Sequence, residues 1–331
     1  MADQRQSRRR MLKSLSALAA GAAFARSPGA AGAATAETRP AGAAAPVRPA
    51  GSVRLGGPVF VKTDDPAELA AAHRALSYRA AYCPNVSLDD RPRIAAFAEA
   101  FARHDVVIAE VGRWCNLMDA DPDRRAAHLA NVIEGLALAE EIGARCCVNI
   151  AGSFNTESWF GPHPDNLTDR HFDAAVENAR KIIDAVRPRR AKFCYEMMGW
   201  AHPDSPDGAL RMLKAVDRPG FGIHLDVANL VNSPARFYRN TELIHECFDR
   251  LGPWIVSCHA KDLVWEAEMN IHFREVPPGR GRLDLLTYVR RLGALTHDAP
   301  LMIEHCDGEQ EYDQARRHIL GLAPAAGVSF G

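Results

Sequence analysis

AKFCYEMMGWAHPDSPDGALRMLKAVDRPGFGIHLDV, residues 191–227, holds two short apolar runs, 191–197 and 221–227, each with an acidic residue at its carboxyl end, Glu196 or Asp226. The same kind of run recurs outward in both directions. VRLGGPVFV (53–61), YRAAYC (78–83), DVVIAEV (105–111) and RCCVNIA (145–151) come before it, and WIVSCH (254–259) and PLMIEHC (300–306) after it. Helical periodicity fills the intervals, most clearly in the stripe Leu129, Val132, Ile133, Leu136, Ala139 and Ile142. Arg187-Pro188, Pro219-Gly220 and Gly252-Pro253 punctuate the joins. Strands alternating with helices imply parallel pairing, and the number of units predicts a closed (β/α)8 TIM barrel, one domain over residues 53–322, with 323–331 as a tail. A doubly wound open sheet would put G-x-G-x-x-G in its first strand-to-helix turn, and that pattern is missing from such a turn here.

The chain of 331 residues is 47% hydrophobic and 24% charged, a soluble globular composition that can bury a large core. Lys+Arg at 40 against Asp+Glu at 41 gives a net charge of -1, which offers no cationic excess for a nucleic-acid backbone. The eight cysteines lie mostly in apolar runs with no C-x-x-C pair, as small buried hydrophobes rather than a disulfide framework.

Residues 7–13, SRRRMLK, precede the modest apolar stretch LSALAAGAAFA, whose Ala23-Phe24-Ala25 suits a signal peptidase. Residues 1–25 resemble a twin-arginine signal peptide, with Met11 where Phe is usual. The resemblance implies passage through the twin-arginine translocase in folded form and a periplasmic or otherwise extracytoplasmic destination. The apolar stretch is too short for a stable membrane anchor. Residues 26–52, rich in Ala, Gly, Pro, Arg and Thr without periodicity, read as a disordered linker.

In such a barrel functional residues stand at the carboxyl ends of strands. The fifth run ends in Glu196, the sixth in Asp226, the seventh in His259 and the eighth in Glu304. Any one of these could merely cap a helix or face water; four successive strand ends carrying ligands to one rim predict a site for one divalent ion. Hard oxygens with a single nitrogen favour Mn²⁺, Mg²⁺ or Co²⁺, with Zn²⁺ also compatible. Glu110 ends the third run, where it would contact substrate or pair with Arg113. His224, two residues before Asp226, shares its strand face and reads as a hydrogen-bonded core histidine.

Tyr195-Glu196, Leu225-Asp226-Val227-Ala228-Asn229, His259-Ala260-Lys261-Asp262, Pro278-Gly279-Arg280-Gly281 with Leu283-Asp284, and Ile303-Glu304-His305 together resemble the xylose isomerase-like TIM-barrel superfamily. This superfamily of sugar phosphate isomerases/epimerases also includes ketose 3-epimerases, inosose dehydratases and endonuclease IV. The resemblance implies a metal set of Glu196, Asp226, His259 and Glu304, with Glu196 and Glu304 doubling as acid/base catalysts on a small carbohydrate. Proton removal beside a carbonyl gives an enediolate, whose reprotonation yields an epimer or isomer and whose loss of a β-substituent yields a lyase product.

Three positions depart from the epimerase pattern: Asn229 replaces His, His202 replaces Glu, and Trp265 replaces Arg. The residues reading the substrate therefore differ, and Glu110, His202, Asn229, Lys261, Asp262 and Arg280 are the candidates for that shell. His-x-Lys-Asp resembles the dehydratase side of the superfamily, where Lys261 would orient or protonate a leaving hydroxyl; a Lys261–Asp262 structural pair is the alternative. Trp159, Phe160, Trp200 and Trp265 fall in rim loops, to stack on a sugar or to pack. An endonuclease IV-like phosphodiesterase is disfavoured by the charge balance and Asn229, and a non-catalytic carbohydrate-binding barrel by the intact ligand set. The expectation is a metal-dependent isomerase or epimerase, or else a keto-sugar or keto-glycoside lyase. Self-association into a homo-oligomer is left open.

Overall fold

The computed structural model describes residues 51–330. The export signal read over 1–25 lies outside the described residues, as does the linker read over 26–52 except for its last two positions. Eight parallel strands close into a barrel: β1 (Leu55–Gly56), β2 (Ala80–Tyr82), β3 (Val107–Gly112), β4 (Cys146–Asn149), β5 (Lys192–Glu196), β6 (Phe221–Leu225), β7 (Ile255–Ala260) and β10 (Leu301–Ile303), which returns to β1. Each falls within or across one of the eight apolar runs, so the chain is a single-domain TIM barrel. An antiparallel hairpin of β8 (Asp262–Trp265) and β9 (Phe273–Val276) is inserted after β7. It went unread because its strands are short and their exposed faces charged.

Helix starts are strongly marked. Asp65, Asp121, Ser205 and Ser233 each accept backbone N–H bonds at an N-terminus whose next residue is proline, a residue that fits the first turn without forfeiting a hydrogen bond. The predicted stripe lies on helix Pro122–Ile142, where Val132, Leu136, Ala139 and Ile142 are buried against the sheet. Burying a side chain such as Leu136 stabilises by about 1.5–3 kcal/mol. No helix among the described residues is long and apolar enough to cross a membrane.

Inside the barrel the alternation of side chains is broken twice. Register slips between Ala81↔Ile108 and Tyr82↔Glu110 on β2–β3, and between Ile223↔Ile255 and His224↔Ser257 on β6–β7. Each slip places an extra residue in one strand, Ala109 in β3 and Val256 in β7. Ala109 and Val256 pack in the barrel interior, and after each bulge the next residue, Glu110 or Ser257, also points inward, which a regular strand would forbid. Around them, Ile108, Val111, Ile255 and Cys258 pack outward against the helices.

The described carboxyl-terminal residues form a short helix, Ala323–Ala326, and Ser329 pairs with Ser52 beside β1.

Candidate metal centre

Glu196 is the last residue of β5, Asp226 and Glu304 directly follow β6 and β10, and His259 is the penultimate residue of β7. One ligand atom from each lies within 4.8 Å of all the others. His259 Nδ1 stands 3.1 Å from Glu196 Oε1, 3.0 Å from Glu304 Oε2 and 3.7 Å from Asp226 Oδ2. Ligands about 2.1 Å from an octahedral ion are separated from their neighbours by about 3 Å, so this spacing suits a divalent cation. Asp226 Oδ2 and Glu304 Oε2, both buried, receive no directed hydrogen bond and keep lone pairs available.

Charge leads to the same conclusion. Three carboxylates converge on one ammonium, that of Lys261, whose Nζ lies 2.8 Å from Asp226 Oδ2, 3.0 Å from Glu304 Oε2 and 3.6 Å from Glu196 Oε1. Burial opposes the charge on Lys261, but Asp226, Glu275 and Glu304 overcome it and hold the ammonium well above its ordinary pKa. Burial pushes the Asp226 carboxyl up, while Lys261 and His259 pull it down further, so it stays ionised. A buried excess of negative charge calls for a cation. The imidazole adds a second reason: a bare Nδ1 lone pair facing three carboxylate oxygens is repulsive unless a proton or metal sits between them.

That proton supplies a prediction. Burial disfavours the His259 imidazolium, but Glu304 and Glu110 outweigh burial and raise its pKa well above 6.5. An ion entering at Nδ1 must displace the proton, so apparent affinity rises with pH by up to about tenfold per unit while His259 remains protonated. Calorimetry in buffers of differing ionisation enthalpy should show close to one proton released per ion at neutral pH; zero release would contradict it.

Of the six residues read as substrate contacts, three touch the cluster. Lys261 is described above. Asn229 donates from Nδ2 to Glu196 Oε1 at 3.1 Å and to the Met197 carbonyl, and Lys261 Nζ lies 3.4 Å from its Oδ1. Glu110 also touches it, but from beneath: it is 1% exposed, bonded to His224, Ser257 and His259, and closed to any substrate. Arg113 pairs with Glu134 instead. His224 is the buried, hydrogen-bonded histidine expected.

The remaining three sit elsewhere. His202 packs against His171 and Phe172 and faces Asp204. Arg280 is half-exposed and bridges to Glu311 on helix Gly308–Gly321. Asp262 is buried with its carboxylate turned away from Lys261, accepting from the backbone N–H groups of Gly279, Gly281 and Leu283. It therefore anchors the Pro278–Gly281 loop. A Cβ at Gly281 would lie 2.1 Å from Asp262 Oδ1 and 2.5 Å from the Leu263 carbonyl oxygen. Gly281→Ala is accordingly expected to cost about 1–3 kcal/mol, read as a lowered urea midpoint; an unchanged midpoint would show the anchor to be dispensable.

Two groups at the mouth were missed. Glu275 on β9 binds His305 Nδ1 at 2.7 Å and lies 3.7 Å from Lys261 Nζ. Nothing in a short charged strand signals this, since the hairpin alone carries Glu275 to the rim. The rim aromatics divide into two groups. Trp159, Phe160 and Trp200 pack with Ile150 and Met198, whereas Trp265 packs with Phe237, Tyr238 and Phe273.

A sequence model of the xylose isomerase-like TIM barrel family matches residues 71–322. The chain belongs to that family. Solved structures similar to this xylose isomerase-like barrel include a xylose isomerase-like TIM barrel protein from Mycobacterium smegmatis in complex with magnesium, at 19% identity and TM-score 0.58, covering 83% of this chain and 97% of that one. The 3-keto-D-glucoside 4-epimerase from E. coli aligns at 14% identity and TM-score 0.58, covering 82% and 99% respectively. A probable 3-DHS dehydratase from Bacillus anthracis aligns at 12% and 0.59, with the same coverage of 82% and 99%. No curated protein matches the chain significantly. At these identities the likeness establishes the fold, and the buried His/Glu/Asp cluster suits a divalent metal.

Proposed function

We propose that this barrel is a divalent-metal-dependent enzyme that moves a proton on the carbon beside a sugar carbonyl, giving an epimer or isomer. The observation that carries the reading is the convergence of two buried carboxylates, a third that is partly exposed, and one buried imidazole at the ends of consecutive barrel strands. A divalent ion bound there supplies Lewis-acid stabilisation of charge developing on the substrate's carbonyl oxygen, worth several kcal/mol. Glu196 and Glu304 serve as the acid and base. The similarity in fold to a 3-keto-D-glucoside epimerase supports a keto-sugar or keto-glycoside as substrate.

Lys261 favours one alternative. An ammonium 3% exposed within the cluster is placed to protonate a leaving hydroxyl, which would make the reaction an elimination. One experiment separates the readings: keto-sugars and 3-keto-glycosides incubated with metal-loaded enzyme in D₂O. Deuterium at the carbon beside the carbonyl in a substrate-mass product supports epimerisation or isomerisation. An unsaturated product with loss of water or aglycone supports the lyase, and no turnover or exchange across the panel counts against both.

We further propose that the enzyme acts outside the cytoplasm, on the strength of the SRRRMLK segment. The amino-terminal residue of protein recovered from the periplasm tests this; an uncleaved chain confined to the cytoplasm refutes it.

A further inference from the structure

We infer that Glu110 is a positioning residue for the metal centre: from beneath the cluster it holds the His259 ring with a proton on Nε2, so that Nδ1 is the nitrogen presented to the ion. The inference rests on the metal-centre reading and assigns a role to a residue that cannot reach substrate.

β3 and β7 lie diametrically opposite in the closed barrel order, four strands apart whichever way the ring is followed. Glu110 therefore spans the barrel interior to meet His259. Its Oε1 is 3.1 Å from His259 Nε2, while Oε2 is 2.9 Å from His224 Nε2 and accepts from Ser257 Oγ at 3.0 Å. Three donors on one buried carboxylate fix its orientation. Both strands need their bulges for this contact, since Glu110 and Ser257 are the residues that the extra Ala109 and Val256 turn inward. Two independent irregularities meeting at one carboxylate mark the contact as a built feature.

The arrangement decides between two protonation states. His259 has acids on both sides, Glu110 at Nε2 and the three converging carboxylates at Nδ1. When a cation replaces the Nδ1 proton, Glu110 retains the other. A carboxylate behind a ligating histidine also increases the ring's basicity, and loss of such a partner costs about 10- to 100-fold in metal affinity.

Glu110, His224 and His259 also offer ligand atoms within 4.8 Å of one another. A second ion there, beside one at Nδ1, would require His259 to lose both ring protons, which Glu110 as an acceptor at Nε2 does not favour.

The test uses the full chain with ¹⁵N-labelled histidine, loaded with Mg²⁺ and examined by long-range ¹H–¹⁵N correlation. The expected His259 signature is a protonated Nε2 and a proton-free Nδ1. Glu110→Gln should weaken Mn²⁺ binding by about 10- to 100-fold at unchanged stoichiometry, and Ser257→Ala, which removes one of the two donors to Glu110 Oε2, should weaken it measurably less. A ring protonated on Nδ1 in the loaded wild type, a folded Glu110→Gln variant binding Mn²⁺ within twofold of wild type, or two equivalents of metal in wild type would each overturn the inference. Because the ring proton is read in the wild type, poor folding of Glu110→Gln does not remove the test. A wild type that binds no ion sinks the metal reading and this inference together; a bound ion beside an Nδ1–H ring sinks this inference alone.

Discussion

Asp226→Ala and His259→Ala are each expected to lower divalent-ion affinity by more than about 100-fold, because even partners one shell further out cost about 10- to 100-fold. Asp226 is 0% exposed and contributes an oxygen with no directed hydrogen bond. Loss of His259 removes the only nitrogen of the set and leaves Glu110 without one of its three donors. Elemental analysis of purified protein, with circular dichroism to establish folding, checks both. Near-stoichiometric metal in either folded variant would mean that the ion, if one binds, sits elsewhere. Turnover should disappear with the metal, and excess Mn²⁺ should restore it little.

Glu304→Gln should behave differently. The amide keeps one oxygen for the ion but cannot take up a proton, so turnover is expected to fall by about 10²- to 10⁴-fold, the usual contribution of a positioned acid or base, with a smaller change in metal affinity. Glu304 is the member of the set closest to solvent, with 17% of its side chain exposed against 7% for Glu196 and none for Asp226. It therefore faces the side from which substrate arrives. The informative comparison is kcat against the Mn²⁺ dissociation constant in the same variant. Parallel losses would make Glu304 a ligand only, and intact turnover would dispose of the two-carboxylate scheme.

The barrel was legible because each apolar run became a strand, and the cluster was legible because its members stand at run ends, where a side chain clears the sheet and meets its counterparts. Asp262 and Arg280, read as substrate contacts, are instead engaged by the Pro278–Gly281 backbone and by Glu311 respectively. Asp262 stands three residues after His259, but proximity along the chain does not say which way a carboxylate turns, and this one turns to the backbone N–H groups of Leu263, Gly279, Gly281 and Leu283. His202 follows Glu196 closely in sequence, yet its loop carries it onto helix Asp169–Val186, against His171 and Phe172. Glu110 lies on β3 as read, but inside the strand rather than at its end, and its partners are His224, Ser257 and His259. Its inward turn depends on the bulge at Ala109, and nothing in DVVIAEV announces an extra residue.

The two bulges also bear on how chains of this fold are compared. Inward and outward positions on a strand are separated by a single residue, so Val256 acts as a phase shifter: counted regularly from outward-facing Ile255, the imidazole of His259 would be directed at the helices and the thiol of Cys258 at the ion. Pairwise comparison of two such barrels that runs gap-free through β3 and β7 can match residue types while exchanging lining for exterior. For this chain, whether a metal ligand exists is settled as much by the parity of a strand as by the identity of the amino acid.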